Sequence, residues 1–283
     1  MASECGVLFL CATPIGNLGD ITARVLETLE NADIIAAEDT RGSLKLLNHF
    51  GIKTPLTSYH EYNKYDKAET LIAKMREGKN IALITDAGTP CISDPGETLV
   101  AMCIEEGIRV SSLPGPAACI TALTLSGLPA RRFCFEAFLP ADKKERRRIL
   151  DELKDETRTI ILYEAPHHLR GTLAELYDTL GDRRIALCRE LTKRFEEVMH
   201  MTVSEALQYY EENDPRGEYV LVLEGRDSGE LLQERRASWD SISIADHVAK
   251  YEQEGMDHKS ALKQVALDRG IPKREVYDAV HRN

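Results

Sequence analysis

Short, unbroken apolar runs recur along this chain at spacings that leave room for a helix between them, and each run ends in a polar turn. The first three are Val7-Leu8-Phe9-Leu10-Cys11, Ile34-Ile35-Ala36-Ala37 and Ile81-Ala82-Leu83-Ile84. A strand covered by helices on both faces reads as a continuous run rather than as an alternation. This pattern therefore predicts an α/β domain with a mainly parallel sheet over residues 1–127. Helices are expected after Asp20 as N-cap, with Ile21, Val25 and Leu29 on one face, and after the Ile34-Ile35-Ala36-Ala37 strand, ending near Gly51. Others should run from a capping box at Asp66-Lys67-Ala68-Glu69 to Gly78 and from about Pro95 to Gly107, before a strand at Ile108-Arg109-Val110.

A second α/β domain is expected over 128–226, with strands at Cys134-Phe135, 159–163, 185–188, 197–201 and 219–223. The segments 194–201 and 217–224 invite antiparallel pairing, which would make this sheet mixed. The polar stretch from Gly225 to Ser241 reads as a linker. Residues 242–283 read as a small helix-turn-helix-like tail of three short helices. Ile244, Val248 and Tyr251 share a face of the first, and Asp257 caps the second, which carries Leu262, Val265 and Ala266. Gly270 supplies the turn, Pro272 opens the third helix, and Val276 docks it. That third helix would turn Lys273, Arg274 and Arg282 outward.

The composition, 43% hydrophobic and 29% charged over 283 residues, is that of a globular protein of two-domain length. No run approaches the roughly 18 apolar residues that span a membrane, and nothing resembles a signal peptide, so a soluble cytoplasmic protein is expected. Seven cysteines stand singly, mostly within apolar stretches; they read as reduced, small buried hydrophobes rather than as a disulfide framework or a zinc ribbon. No HxH or HExxH spacing points to a metal site. A net charge of −11 disfavours indiscriminate nucleic-acid binding. Local charge differs. Between Arg131 and Arg148 seven basic residues face three acidic ones, and Arg131, Arg132, Lys143, Lys144, Arg146, Arg147 and Arg148 read either as a solvated helix face or as a patch that follows phosphates.

Ligands of open α/β sheets bind beyond the carboxyl ends of the strands. Four loops lie there: 13–19, Glu38-Asp39-Thr40-Arg41, 86–96 and Pro114-Gly115-Pro116-Ala117-Ala118. Three are rich in glycine, which lets a ligand approach the backbone, and in proline, which sets the loop shape in advance. There is no GxGxxG after the first strand and no GxxxxGK[ST], so dinucleotide and P-loop triphosphate sites are disfavoured. Carboxylates and backbone groups suit a ligand with a cationic amino acid end and ribose hydroxyls, as in S-adenosylmethionine.

Read in order, ATPIGNLGDIT (12–22), AEDTR (37–41), DAGTPCISDPG (86–96), PGPAA (114–118), YEAPHH (163–168) and RELTKRFEE (189–197) closely resemble the tetrapyrrole-methylase-like methyltransferases. Within them the match is to the branch that 2′-O-methylates a decoding-centre cytidine of 16S ribosomal RNA. The resemblance covers nearly the whole chain. It implies two α/β domains with S-adenosylmethionine in the cleft between them, a homodimer, and a substrate within the small ribosomal subunit. Carried over position by position, the donor site would comprise Pro14, Asp86, Gly88, Pro90, Ile92, Gly115, Ala117, Ala118, Tyr163 and Leu187. Two positions depart from the pattern: Ala117 stands where serine or cysteine is common, and His168 where an arginine follows YEAPH.

Methyl transfer to a ribose hydroxyl needs alignment of the reacting atoms, and a base within reach of the hydroxyl would add to the rate. Candidates are Glu38, Asp39 and Glu164, with Arg41 and Lys193 to grip phosphate or tune a carboxylate; His60 and His167 are weaker ones. Two other readings stay open: a methylase of the same fold acting on a tetrapyrrole or protein, and a non-catalytic ribosome-binding protein.

Overall fold

The structure, a computed structural model, describes residues 5–281, so Arg282 lies outside the described residues. The first sheet is built from β1 (Leu8–Cys11), α1 (Ala23–Asn31), β2 (Ile34–Ala37), α2 (Thr40–His49), β3 (Leu56–Ser58), α3 (Lys64–Arg76), β4 (Ile81–Ile84), α4 (Gly96–Glu105) and β5 (Val110–Leu113). Its strands lie in the order β3-β2-β4-β1-β5, and every pairing is parallel. The two-residue period of a strand divides its side chains between two cores. Leu8, Leu10, Ile81 and Leu83 pack with Leu71 and Met75 of α3 and Leu99 and Cys103 of α4. Cys11, Ile35, Ala37, Ala82 and Ile84 face Val25 and Leu29 of α1 and Leu47 of α2. Because both faces are dry, the strands need no polar alternation. Each fully buried Leu, Ile or Val contributes about 1.5–3 kcal/mol.

The second sheet follows α5 (Ala118–Leu125) and contains β6 (Phe133–Phe138), α6 (Lys143–Leu153), β7 (Thr159–Glu164), α7 (Leu169–Leu180), β8 (Arg184–Arg189), β9 (Glu197–Thr202), α8 (Val203–Glu212) and β10 (Tyr219–Leu223). Its order is β6-β7-β10-β8-β9, parallel only between β6 and β7. The sheet is mixed. Helix α5 contributes Cys119, Ala122 and Leu123 to the core over Ile161, Ala186, Cys188, Val220 and Val222, so it covers one face of this sheet. The capping box of Thr202 with Glu205 starts α8, a device worth about 1 kcal/mol.

Several boundaries differ from the sequence reading. Helix α1 is capped by Thr22, not Asp20, because a short 3₁₀ turn at Leu18–Asp20 intervenes. Helix α3 starts at Lys64, two residues before the expected capping box, and its N-cap Asn63 makes no side-chain cap bond. The last strand of the first sheet is Val110–Leu113 rather than 108–110. Strand β9 pairs with β8, while β10 lies between β7 and β8, so the two segments expected to pair with each other do not. Antiparallel pairing is present, with different partners.

Contacts divide the chain into two compact units. One holds both sheets, running to Asp151 and from Thr159 to Glu224; the other holds Glu152–Arg158 and the chain from Gly225 on. In the second unit the expected linker contains a helix, α9 (Ser228–Ala237), capped by Asp227. Arg226 pairs with Asp155 and Glu234. Then come α10 (Ile244–Gln253), α11 (His258–Arg269) and α12 (Lys273–His281) around Val248, Ala261, Leu262, Val265 and Val276. Asp257 caps α11, and Gly270 ends it in the left-handed conformation at φ 64°. Pro272 stands one residue before α12. Among the described residues no helix is long and apolar enough to cross a membrane.

Candidate active site

The loops after β1, β4 and β5 are stitched into one wall by main-chain bonds and threonine hydroxyls. Thr13 and Gly88 exchange N–H···O=C bonds of 2.9 and 3.0 Å, and the Thr13 hydroxyl donates to Thr85 O at 3.1 Å. Thr89 Oγ1 donates to Pro116 O at 2.9 Å. Gly88 sits at φ 84°, and a Cβ there would lie 3.2 Å from Ile15 Cγ2; one on Gly115 would lie 2.7 Å from Ala12 Cβ. Close approach favours glycine at Gly115, and the positive φ favours it at Gly88.

Opposite this wall stand β7, β8, β10 and the loop after β8, leaving a cleft of about 460 Å³. Its lining is mostly apolar: Ile15, Ala87, Gly88, Thr89, Ile92, Ala117 and Ala118 on the first side, and Phe138, Tyr163, Cys188, Leu191, Tyr219 and Val220 on the second. Lys193 and Glu218 supply charge, while Glu164 enters the lining at the end of β7 with its carboxylate turned to Thr172 of α7. A few polar groups in a mainly apolar concavity is the usual make-up of a small-molecule site. Five non-glycine residues among those described have positive φ: Cys91, Ser93, Ala137, Glu190 and Thr192. They flank Ile92, precede Phe138 and flank Leu191, all of which line the cleft. At a cost of about 1–3 kcal/mol each, such conformations persist where the surroundings impose them, and here they aim lining side chains. Ala137 also breaks the β6 register, and Phe138 then lies 5.5 Å from the Tyr163 ring.

The charged lining residues are fully tied. Glu164 is only 6% exposed. Its Oε1 accepts from the Ala165 N–H at 2.8 Å and its Oε2 from the Thr172 hydroxyl. Lys193 donates to Glu190 at 2.9 Å and to Glu218 at 2.7 Å. Burial opposes the charged form of Lys193, but these two bonds outweigh it and hold the ammonium above its ordinary value. Burial pushes the Cys188 thiol up to about 12, which makes it an inert apolar neighbour.

Of the residues expected to hold a methyl donor, Gly88, Ile92, Ala117, Ala118 and Tyr163 line the cleft. Pro14, Asp86, Pro90, Gly115 and Leu187 do not. Leu187 is buried one residue before Cys188, on the opposite face of β8, as the strand period requires. Asp86 instead ties two loops, its Oδ1 accepting from the Asp39 N–H at 3.0 Å. Of the expected catalytic residues, Glu164 and Lys193 line the cleft, whereas Glu38 and Asp39 on the β2–α2 loop and Arg41 in the first turn of α2 do not. Asp39 caps α2 by accepting from the Arg41 N–H at 2.9 Å, which lowers its pKa. Arg41 is 91% exposed beside it. Burial, then Asp86 and Asp94, raise Glu38. His60 has a buried Nδ1 without a partner, and His167 is exposed against His168.

In the basic stretch, Arg131, Arg132, Lys143, Lys144, Arg147 and Arg148 are exposed. Arg146 departs from the expected outward patch. Its side chain is 16% exposed and donates to Glu175 at 2.5 Å and to Thr172 at 2.7 Å, because its position on α6 faces α7. Lys273 and Arg274 are exposed on α12 of the second unit. Phe138, Leu191 and Glu218 are lining residues that sequence reasoning missed. The glycine before Glu218, at φ 79°, is the one local signal near them.

A profile of the tetrapyrrole (corrin/porphyrin) methylases matches residues 7–207. A protein of Halalkalibacterium halodurans, curated as ribosomal RNA small subunit methyltransferase I, is 49% identical over 277 residues, 98% of this chain and 95% of its own. One of the same description from Bacillus subtilis is 47% identical over 279 residues, 99% and 95% of the two chains. Among solved structures, uroporphyrin-III-C-methyltransferase from Thermus thermophilus has a TM-score of 0.55 at 24% identity, over 77% of this chain and 94% of the other. A diphthine synthase has a TM-score of 0.61 at 14% identity, over 78% and 90%. These two share the fold.

Proposed function

From the premise that the chain belongs to the tetrapyrrole (corrin/porphyrin) methylases, we propose that it transfers a methyl group from S-adenosylmethionine to the 2′-hydroxyl of a decoding-centre cytidine in 16S ribosomal RNA. It acts as a homodimer in the cytoplasm on the small ribosomal subunit. The observation that carries the acceptor is near-full-length similarity, at almost half identity, to proteins curated as ribosomal RNA small subunit methyltransferase I. The fold by itself leaves the acceptor open, since a porphyrin methylase and a diphthine synthase share it.

The residues of the cleft fit the donor. Gly88 brings backbone to the surface where no side chain fits, and Ile15, Ala117, Tyr163 and Val220 offer apolar walls to a purine. When bound, S-adenosylmethionine supplies an already activated methyl group. The chain's own contribution is then alignment, exclusion of water and management of the hydroxyl proton. Glu164 and Glu38 are the carboxylates proposed for that proton. Lys193 is neutralised by Glu190 and Glu218, and it is proposed to reach a phosphate of the RNA at the rim by exchanging its bond to the exposed Glu218. Asp39 and Arg41 extend the same rim. Pro14, Asp86, Pro90, Gly115 and Leu187 support the donor site from behind its lining, with Asp86 fixing two of the loops. Arg131, Arg132, Lys143, Lys144, Arg147 and Arg148, with Lys273 and Arg274, supply cations for the RNA backbone.

The test is an assay with tritiated donor and small ribosomal subunits, compared with tetrapyrrole precursors, followed by mapping of ribose methylation. Label in one cytidine ribose of 16S RNA is expected. Label only in the tetrapyrrole would end the RNA reading.

A further inference from the structure

The hairpin loop between β8 and β9, residues 190–196, stands at the end of the second sheet that carries the cleft. Arg189 pairs with Glu197 across the hairpin and with Tyr219 of β10, which in turn pairs with Glu164 of β7. Cys188, Leu191 and Lys193 line the cleft, as do Tyr163, Glu164 and Tyr219 at the same strand ends. The loop consists of two successive turns, closed by the Lys193 N–H to Glu190 O at 3.0 Å and the Glu196 N–H to Lys193 O at 3.1 Å. The Thr192 N–H donates to Glu196 Oε2 at 2.6 Å and ties the first turn to the second. Glu190 and Thr192 hold positive φ within it. Arg194 and Phe195 occupy the tip.

Such positions are commonly filled by Gly, Asn, Asp or Ser, each of which favours a turn. Phe195 is instead 68% exposed, and the Arg194 guanidinium lies 5.5 Å from the centre of its ring. A single exposed ring is ordinary on a protein surface. Here it stands on a braced loop, beside an exposed arginine, in a chain of net charge −11. The neighbouring cations Arg189 and Lys193 are paired with carboxylates, whereas Arg194 has no carboxylate partner among the described residues. Neither Arg194 nor Phe195 lines the cleft. Consecutive Cα atoms lie about 3.8 Å apart, so the tip stands immediately outside it, next to Lys193.

We propose that Arg194 and Phe195 form a platform for single-stranded RNA, on which the base of a nucleotide next to the methylated one stacks while the guanidinium takes a phosphate. This deepens the proposed function and rests on it. A ribose hydroxyl reaches the cleft from a strand whose bases are unpaired around it. An unstacked base then finds a new partner on an aromatic ring or a guanidinium plane. Every base has such a face, so the ring supplies affinity and leaves the sequence to be read elsewhere. A symmetric contact with a second copy about this tip would bring two unpaired arginines together, which disfavours that occupant.

The experiment measures methylation of unmodified small ribosomal subunits by the full chain, with donor binding by calorimetry and oligomeric state by sedimentation in parallel. Phe195→Ala is expected to raise KM for the subunits on the order of tenfold, with affinity for S-adenosylmethionine within about twofold of wild type. Phe195→Trp keeps an aromatic face and is expected to hold KM within about threefold. Arg194→Gln is expected to raise KM and to reduce the slope of log subunit affinity against log salt by about one. A KM left at its wild-type value by Phe195→Ala overturns the platform. So does an equal rise with Phe195→Trp, or a rise that accompanies loss of self-association, which makes the tip a contact between copies. Wild-type protein that methylates no ribose of the subunits instead overturns the proposed function, so the two failures are distinguishable.

Discussion

The two walls of the cleft are built by different means. The wall from the first sheet is mostly backbone: three loops joined by main-chain bonds and by threonine hydroxyls that donate to carbonyls, with glycines where the chain passes closest. The wall from the second sheet is mostly side chain: Phe138, Tyr163, Leu191 and Val220, with Lys193 and Glu218 held to each other at the loop before β10. A backbone wall resists changes of charge and fails when volume is added. A side-chain wall tolerates volume at its flexible tips and fails when a partner is removed.

The largest effect is expected from adding volume to the first wall. Gly88→Val places a branched side chain at φ 84° and 3.2 Å from Ile15. Methyl transfer should fall roughly a hundredfold in the tritiated-donor assay, the scale set by an ångström of misplacement. A drop below about threefold would show that this wall yields, and the contrast between the walls would be lost.

Gly16 tests where the walls meet. A Cβ there would lie 2.3 Å from Lys193 Cγ and 3.0 Å from Thr192 Oγ1. Gly16→Ala should therefore act through Lys193, lowering methyl transfer by about tenfold. Combined with Lys193→Ala, it should add much less than its separate effect, as contacting sites do. Full additivity would mean that the walls are independent.

The smallest effects are electrostatic and opposite in sign. Glu190, on the second wall, has its pKa lowered: burial raises it, but bonds from Lys193 and the Glu218 N–H prevail. Its stabilisation is present above the usual 4.5 and is lost as pH falls through the lower folded value. Glu38, at the rim of the first sheet, is raised, so its favourable contribution is present below 4.5 and is lost as pH rises through its folded value. At pH 7 Glu190→Gln should lower the stability and Glu38→Gln should raise it, each by less than about 1 kcal/mol for such partly exposed groups, read from the sign of the shift in melting temperature. At pH 3.5 both differences should shrink. Shifts of the same sign at pH 7 would break the contrast.

Legibility in the sequence follows the same division. Gly88 and Gly115 could be singled out because only glycine fits a close approach, and the loops carrying them follow apolar runs. Strands β1, β2 and β4 could be placed because both faces are dry. Strand β3 escaped notice: its three residues are only partly buried, at the sheet edge. Helix α9 was read as linker because Leu231 is its buried residue, too little for a periodic signal. Arg146 was grouped with its basic neighbours, since nothing local distinguishes the one guanidinium that turns toward α7.

By itself, the order of residues settled the α/β class, the parallel first sheet, the glycine turns at its carboxyl edge and three helices at the end. These depend on backbone conformation and on periodicity over a few residues, which are local properties. Tertiary structure alone decided that β10 lies between β7 and β8, that α5 covers the second sheet, and that Thr172 and Arg146 reach Glu164. Pairing and side-chain contact join residues far apart in the chain, and their partners are chosen by how whole elements bury their surfaces together.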